Sequence, residues 1–97
     1  VLEDVKEALK WYRASAERGY AMAQIALARK YEWGRGVPAD KAKAYALCLL
    51  AQKNLSAEWL TKSTSILESE LTPEKKAKAL EILKQLEKGN FSVLDAN

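Results

Sequence analysis

The residues whose type or spacing could support chemistry are Cys48, the pair Glu68 and Glu70, the turn Gly34-Arg35-Gly36, and the cations Arg29 and Lys30 ahead of Trp33. Cys48 is the only cysteine, which excludes an internal disulfide and a thiolate zinc cluster. It lies in the most apolar stretch of the chain, where burial would raise the thiol pKa and leave it inert, so a core cysteine is expected. The chain has no histidine and so lacks the commonest general base and the commonest metal ligand. Glu68 and Glu70 are two residues apart, and on a helix that spacing does not place them on one face, so they make a poor acid–base pair. The glycine pair at Gly34 and Gly36 suggests a phosphate loop, but no Gly-Lys-Ser/Thr follows and no strand precedes it. A turn between helices is the better account. No enzymatic activity, cofactor or metal site is therefore expected, and binding is the remaining function.

The elements that would present a binding surface follow from length and pattern. At 97 residues the chain supports one small domain, so every helix must contribute to one core. Hydrophobic residues make up 48% and charged residues 30%, and no stretch approaches the roughly 18 apolar residues of a membrane span. A soluble chain without membrane insertion is expected. Sixteen basic residues against 13 acidic ones leave a net charge of +3, but acids and bases alternate from Glu3 to Lys10 and from Glu74 to Glu87. That alternation reads as solvated helix faces and gives no reason to expect a nucleic-acid partner. Val1-Leu2-Glu3-Asp4 offers neither a basic start nor an apolar signal core, so no secretory signal is expected within this chain and its localisation stays open.

Five helices are expected. The first starts at Asp4, with Glu7 completing a capping box, carries Val5, Ala8, Leu9, Tyr12 and Ala16 on one face, and ends at Gly19. The second places Ala23, Leu27 and Tyr31 at intervals of four beside Ala26 and Ala28, so that small side chains allow close packing. Gly34, Gly36 and Pro38 then break the chain into a helical hairpin, and Asp40 caps the third helix. From Ala44 to Ala51 that helix carries no charge, so it must be covered on several sides. Ser56 is the expected cap of a fourth helix with Ala57, Leu60, Ile66, Leu67 and Leu71 facing inward. Thr72-Pro73-Glu74 starts a fifth, with Ala77, Leu80, Leu83 and Leu86 inward, Ala79 and Ile82 widening the stripe, and Gly89 as its stop. Phe91, Val93 and Leu94 either fold back over apolar surface or stay disordered, with folding back preferred.

Asp4 aligns with Asp40, Ala8 with Ala44 and Trp11 with Leu47, an offset of 36 residues that fits a helix-pair repeat. The run Ala21-Met22-Ala23-Gln24 through Leu27, then Tyr31 and Gly34-Arg35-Gly36-Val37-Pro38-Ala39-Asp40, resembles the Sel1-like repeat. Ala8, Trp11, Tyr12, Ala16 and Gly19 are similar to the tail of such a unit. Ala28 stands where the family usually has glycine, Lys30 where a hydrophobic residue is common, and Leu47-Cys48 where an aromatic pair is usual. The likeness covers about the first half of the chain and fades from Ser56 onward, where Leu71-Thr72-Pro73-Glu74 resembles the helices that close many bacterial arrays.

This resemblance implies an all-α fold, an antiparallel helix-pair, tetratricopeptide-like solenoid fragment of about five helices. Residues 1–19 would be the second helix of a partial repeat, 20–55 one full repeat, 56–88 a C-terminal capping helix pair and 89–97 a tail. It further implies a non-catalytic scaffold that binds a protein or peptide on a concave face, bacterial by resemblance, and periplasmic or secreted if a signal lies upstream. Solenoids bind through the first helices of successive units, which makes Met22, Ile25, Ala26, Arg29, Lys30 and Trp33 the candidate partner-binding residues. Trp33 either anchors a partner or packs on its own loop over Pro38, whereas Trp11 and Trp59 are expected in the core or in stacking contacts. The alternative role is a structural end piece of a longer array, self-associating through an open N-terminal edge of Val5, Leu9 and Tyr12.

Overall fold

A charge-free helix excludes water only when other elements surround it, and the computed structural model is arranged around that need. It describes residues 5–96. The fold is all-α, with α1 (Val5–Glu17), α2 (Ala21–Trp33), α3 (Lys41–Gln52), α4 (Glu58–Ser69), α5 (Pro73–Glu87) and a short 3-10 helix at Phe91–Asp95. Helix α3 is the centre: α2, α4 and α5 all pack on it, while α1 lies on the far side against α2. Ala42, Ala44 through Cys48, Leu50 and Ala51 are buried, so apolar residues all round the helix meet apolar neighbours all round it. No helix is long and apolar enough to cross a membrane among the described residues.

The helix ends follow local chemistry. The Asp40 carboxylate accepts from the backbone amides of Ala42 and Lys43 at 3.0 and 3.1 Å, and the Thr72 hydroxyl accepts from Lys75 N–H at 3.2 Å ahead of Pro73. The α2–α3 turn uses Gly34 and Gly36 at φ 68° and 82°. Gly36 is needed for space as well as for its backbone conformation. A Cβ there would stand 2.4 Å from Val5 Cγ1 and 2.8 Å from Leu9 Cδ1, because the turn runs directly beneath α1. Buried Gln24 ties α2 to α1, its amide donating to the Ala16 carbonyl at 3.0 Å.

Several expectations are corrected. The Asp4 cap lies outside the described residues. Ser56 does not cap α4; Ala57 occupies that position with no side-chain bond, and the helix begins at Glu58. The inward stripe of α4 is Leu60, Thr64 and Leu67, with Leu71 just beyond, and Ile66 faces outward. Thr64 tolerates burial because its hydroxyl donates to the Leu60 carbonyl at 2.8 Å. On α5 the buried stripe is Ala79, Ile82 and Leu86, whereas Ala77 is exposed and Leu80 is 49% exposed. This helix meets α3 on one side only, so a narrow face is buried and its neighbours turn to water.

Trp11 and Trp59 are exposed, not in the core. Leu9, Tyr12 and Ala16 turn inward from α1, and Trp11, two positions after Leu9, falls on the outer side. At the expected open edge Val5 is 40% exposed, Leu9 and Tyr12 are half-buried against the core, and Trp11 adds to the outer surface. The C-terminal segment does fold back, with Phe91 and Leu94 buried.

These registers give different stability costs. Leu47, with no exposed surface, should lose about 3 kcal/mol on Leu47→Ala, whereas Leu80→Ala should stay within about 0.5 kcal/mol of the parent. Urea titration followed by far-UV circular dichroism measures both; equal losses would contradict the α5 register.

Candidate interaction face

The groups that could have carried catalysis are separated or sealed. Cys48 is buried on α3, and burial pushes its thiol from 9.0 up to about 11, with the Thr64 hydroxyl acting weakly in the other direction. Glu68 pairs with Lys76 of α5 at 3.5 Å and Glu70 with Lys41 of α3 at 3.3 Å, so the two carboxylates serve different neighbours. Among the described residues, no group of three histidine, cysteine or carboxylate side chains is placed to hold a metal ion.

One face of α2 gathers the sequence-derived candidates. Met22, Ala26, Arg29 and Trp33 follow helical spacing along one outer stripe, and Met22 and Trp33 are 62% and 55% exposed. Lys30 lies beside this stripe. Ile25 is not part of it; at 5% exposure it packs into the core, because the small residues around it draw α1 and α3 onto that side. Ala26, Arg29, Lys30 and Trp33 come together with two residues from elsewhere, Tyr12 of α1 and Arg35 of the turn, around a shallow cavity of about 190 Å³ that Met22 does not border.

The cavity is aromatic and cationic. The Arg29 and Arg35 guanidinium carbons lie 5.5 and 5.6 Å from the Trp33 ring centroid, and Lys30 Nζ lies 5.7 Å from that of Tyr12. Each such contact contributes about 0.5–1 kcal/mol at an exposed site, enough to orient the side chains. Arg29 reaches Glu32 at 4.0 Å, whereas Lys30 and Arg35 make no ion pair among the described residues. The arrangement presents an indole edge and three positive charges against one nearby carboxylate.

Pattern reading missed Tyr12 and Arg35. Tyr12 sits on the inward stripe of α1 by spacing, yet its half-buried ring reaches Lys30. Arg35 follows Gly34, whose left-handed conformation turns the chain back so that the guanidinium meets a ring two residues earlier. A cation two residues after an aromatic across such a glycine is the signal that could have indicated it.

A second polar cluster holds the 3-10 segment Phe91–Asp95. Arg13 donates to Asp95 through two nitrogens, at 2.7 and 3.1 Å. That pairing holds the Asp95 carboxyl below its ordinary range and raises the Arg13 pKa further. Burial raises the Tyr31 phenol, which faces the same cluster. No family model, curated protein or solved structure matches this chain.

The Cys48 shift has a defined pH consequence. The folded state holds the thiol proton more tightly than the unfolded chain, so stability from this group is complete below pH 9 and declines as pH rises towards 11. Denaturation midpoints between pH 8 and 10.5 should therefore fall less in Cys48→Ala than in the parent; parallel curves would refute the assignment.

Proposed function

We propose that the chain is a non-catalytic protein-interaction module that binds an acidic segment of a partner protein or peptide on the outer face of α2. The observation that carries this reading is Trp33, an exposed indole flanked by Arg29 and Arg35 and adjoining Lys30. Tryptophan and arginine are the residue types that dominate interface energetics, because a large flat surface and a directional cation can be desolvated together. A carboxylate arriving at this cavity meets cations already held in place by ring contacts, so little ordering remains to oppose binding.

The repeat reading agrees with this assignment. In a Sel1-like unit, α2 and α3 would be the helix pair of the full repeat at 20–55, joined by the Gly34–Asp40 turn. Support comes from the left-handed glycines, from the Asp40 cap and from Gln24 tying α2 to α1. In that frame α2 is a first helix, the position from which solenoids bind. A scaffold or adaptor, bacterial by family resemblance, is the corresponding role.

A second reading rests on a different observation. Trp11 is 72% exposed on α1, the outermost helix at its end of the fold. As an end piece of a longer array, the chain would cover Trp11 with an upstream repeat or a second copy. Mass in solution separates the two: a strict monomer favours the binding module, and a dimer lost in Trp11→Ala favours the end piece.

For the leading reading, a fluorescein-labelled glutamate-rich peptide containing one phenylalanine is the probe. Arg29→Ala with Trp33→Ala should weaken its anisotropy-measured binding about ten-fold or more, and Trp59→Ala should leave it unchanged. The double variant should keep its thermal midpoint within a few degrees, since both side chains are partly or largely exposed. Equal binding by the double variant and the parent would remove α2 as the binding face.

A further inference from the structure

The 3-10 segment Phe91–Asp95 lies in a groove that it does not fill. Leu94 and Asp95 border Tyr31, the Val37–Asp40 part of the turn and Lys43 on one side, and Asp95 also borders Leu9, Arg13 and Leu27 on the other. Open volumes of about 270 and 200 Å³ remain beside the segment, both bordered by Tyr31, Val37 and Asp95. Both volumes open to solvent, so a longer segment enters them from the surface without disturbing the buried Phe91 and Leu94 side chains.

The contacts holding the segment are largely indifferent to its sequence. Lys43 Nζ donates to the carbonyls of Leu94 and Ala96, both at 2.8 Å, and Arg13 Nη2 donates to the Phe91 carbonyl at 2.7 Å. The Tyr31 hydroxyl lies 3.5 Å from the Leu94 carbonyl. Any peptide following the same path presents the same carbonyls. Sequence enters through the buried Phe91 and Leu94 side chains, three residues apart, through Val93, which is partly buried against the core, and through the Asp95 carboxylate on Arg13. The Asp95 side chain is 63% exposed, so water and other carboxylates can compete for Arg13.

We propose that this groove is a peptide-binding site for a partner segment with two apolar residues three apart followed by an acid, and that Phe91–Ala96 is its resident, displaceable occupant. A longer partner segment fills the two side volumes as well and so gains apolar burial that the resident lacks. The resident is tethered through Gly89 and Asn90 and therefore competes at high effective concentration, which keeps the site closed to weak ligands. Trp33 and Arg29 do not border this groove, so its occupancy is independent of the α2 face.

The test uses the full chain and a labelled peptide with the sequence of residues 90–96, Asn-Phe-Ser-Val-Leu-Asp-Ala. In Asp95→Asn the resident loses its bidentate partner. Amides 91–96 should then exchange faster with α1 to α5 still protected, and the variant should capture the peptide about ten-fold more tightly than the parent. Adding Arg13→Ala to Asp95→Asn should abolish that capture. Equal capture by parent and variant, capture that survives Arg13→Ala, or global loss of protection in Asp95→Asn would overturn the proposal. A dimer of the variant in native mass spectrometry, with each groove filled by the other copy's segment, would also overturn it by making a second copy the occupant.

Discussion

Between Ala44 and Ala51 the chain has no charged residue, and water leaves those side chains only when α2, α4 and α5 close around them. Burial of α3 is therefore the constraint on which the other elements depend. A small domain has little apolar area to spare, so one fully covered helix supplies much of the driving force, at about 25 cal/mol per Å² of apolar surface removed from water. The outer helices each present one stripe to the interior and leave the rest solvated. Their ion pairs, such as Lys41–Glu70 and Lys76–Glu68, sit on exposed surface and contribute little beyond orientation.

Helix α1 does not touch α3 extensively and is held instead through α2, the turn and the C-terminal segment. Gly36 allows the turn to approach Val5 and Leu9 more closely than any side chain would permit. Arg13 reaches from the same helix to the Phe91 carbonyl and the Asp95 carboxylate. The first helix and the 3-10 segment thus meet through one guanidinium, with Arg13 lying 82 residues before Asp95 along the chain. Such a contact closes a long loop, and its entropic cost must be met by the burial of Phe91 and Leu94 beside it.

Much of this was legible in the residues. The all-α class, the central position of α3, the Asp40 and Thr72 caps, the glycine turn, the folded-back tail and the buried Cys48 all follow from patterns within a few residues of one another. The start of α4 was not, because Ser56 and Ala57 both adjoin a plausible first turn and no side-chain bond decides between them. Of the candidate face, Met22, Ala26, Arg29 and Trp33 lie on one stripe as helical spacing requires, with Lys30 beside them. Ile25 turned inward, and Tyr12 and Arg35 joined from outside the helix.

By itself, the sequence determined which segments are helical, where most of them start and stop, and that one of them must be surrounded, since propensity, capping and hydrophobic run length act locally. Only the tertiary structure decided which face of each outer helix is buried. Where apolar residues occupy adjacent stripes, as at Ala79 and Leu80 or at Ile66 and Leu67, a rotation of about 100° exchanges them, and the choice rests with the shape of α3. It also brought Arg13 to Asp95 and Lys30 to Tyr12, because contacts made through side chains that cross between elements have no period in the sequence.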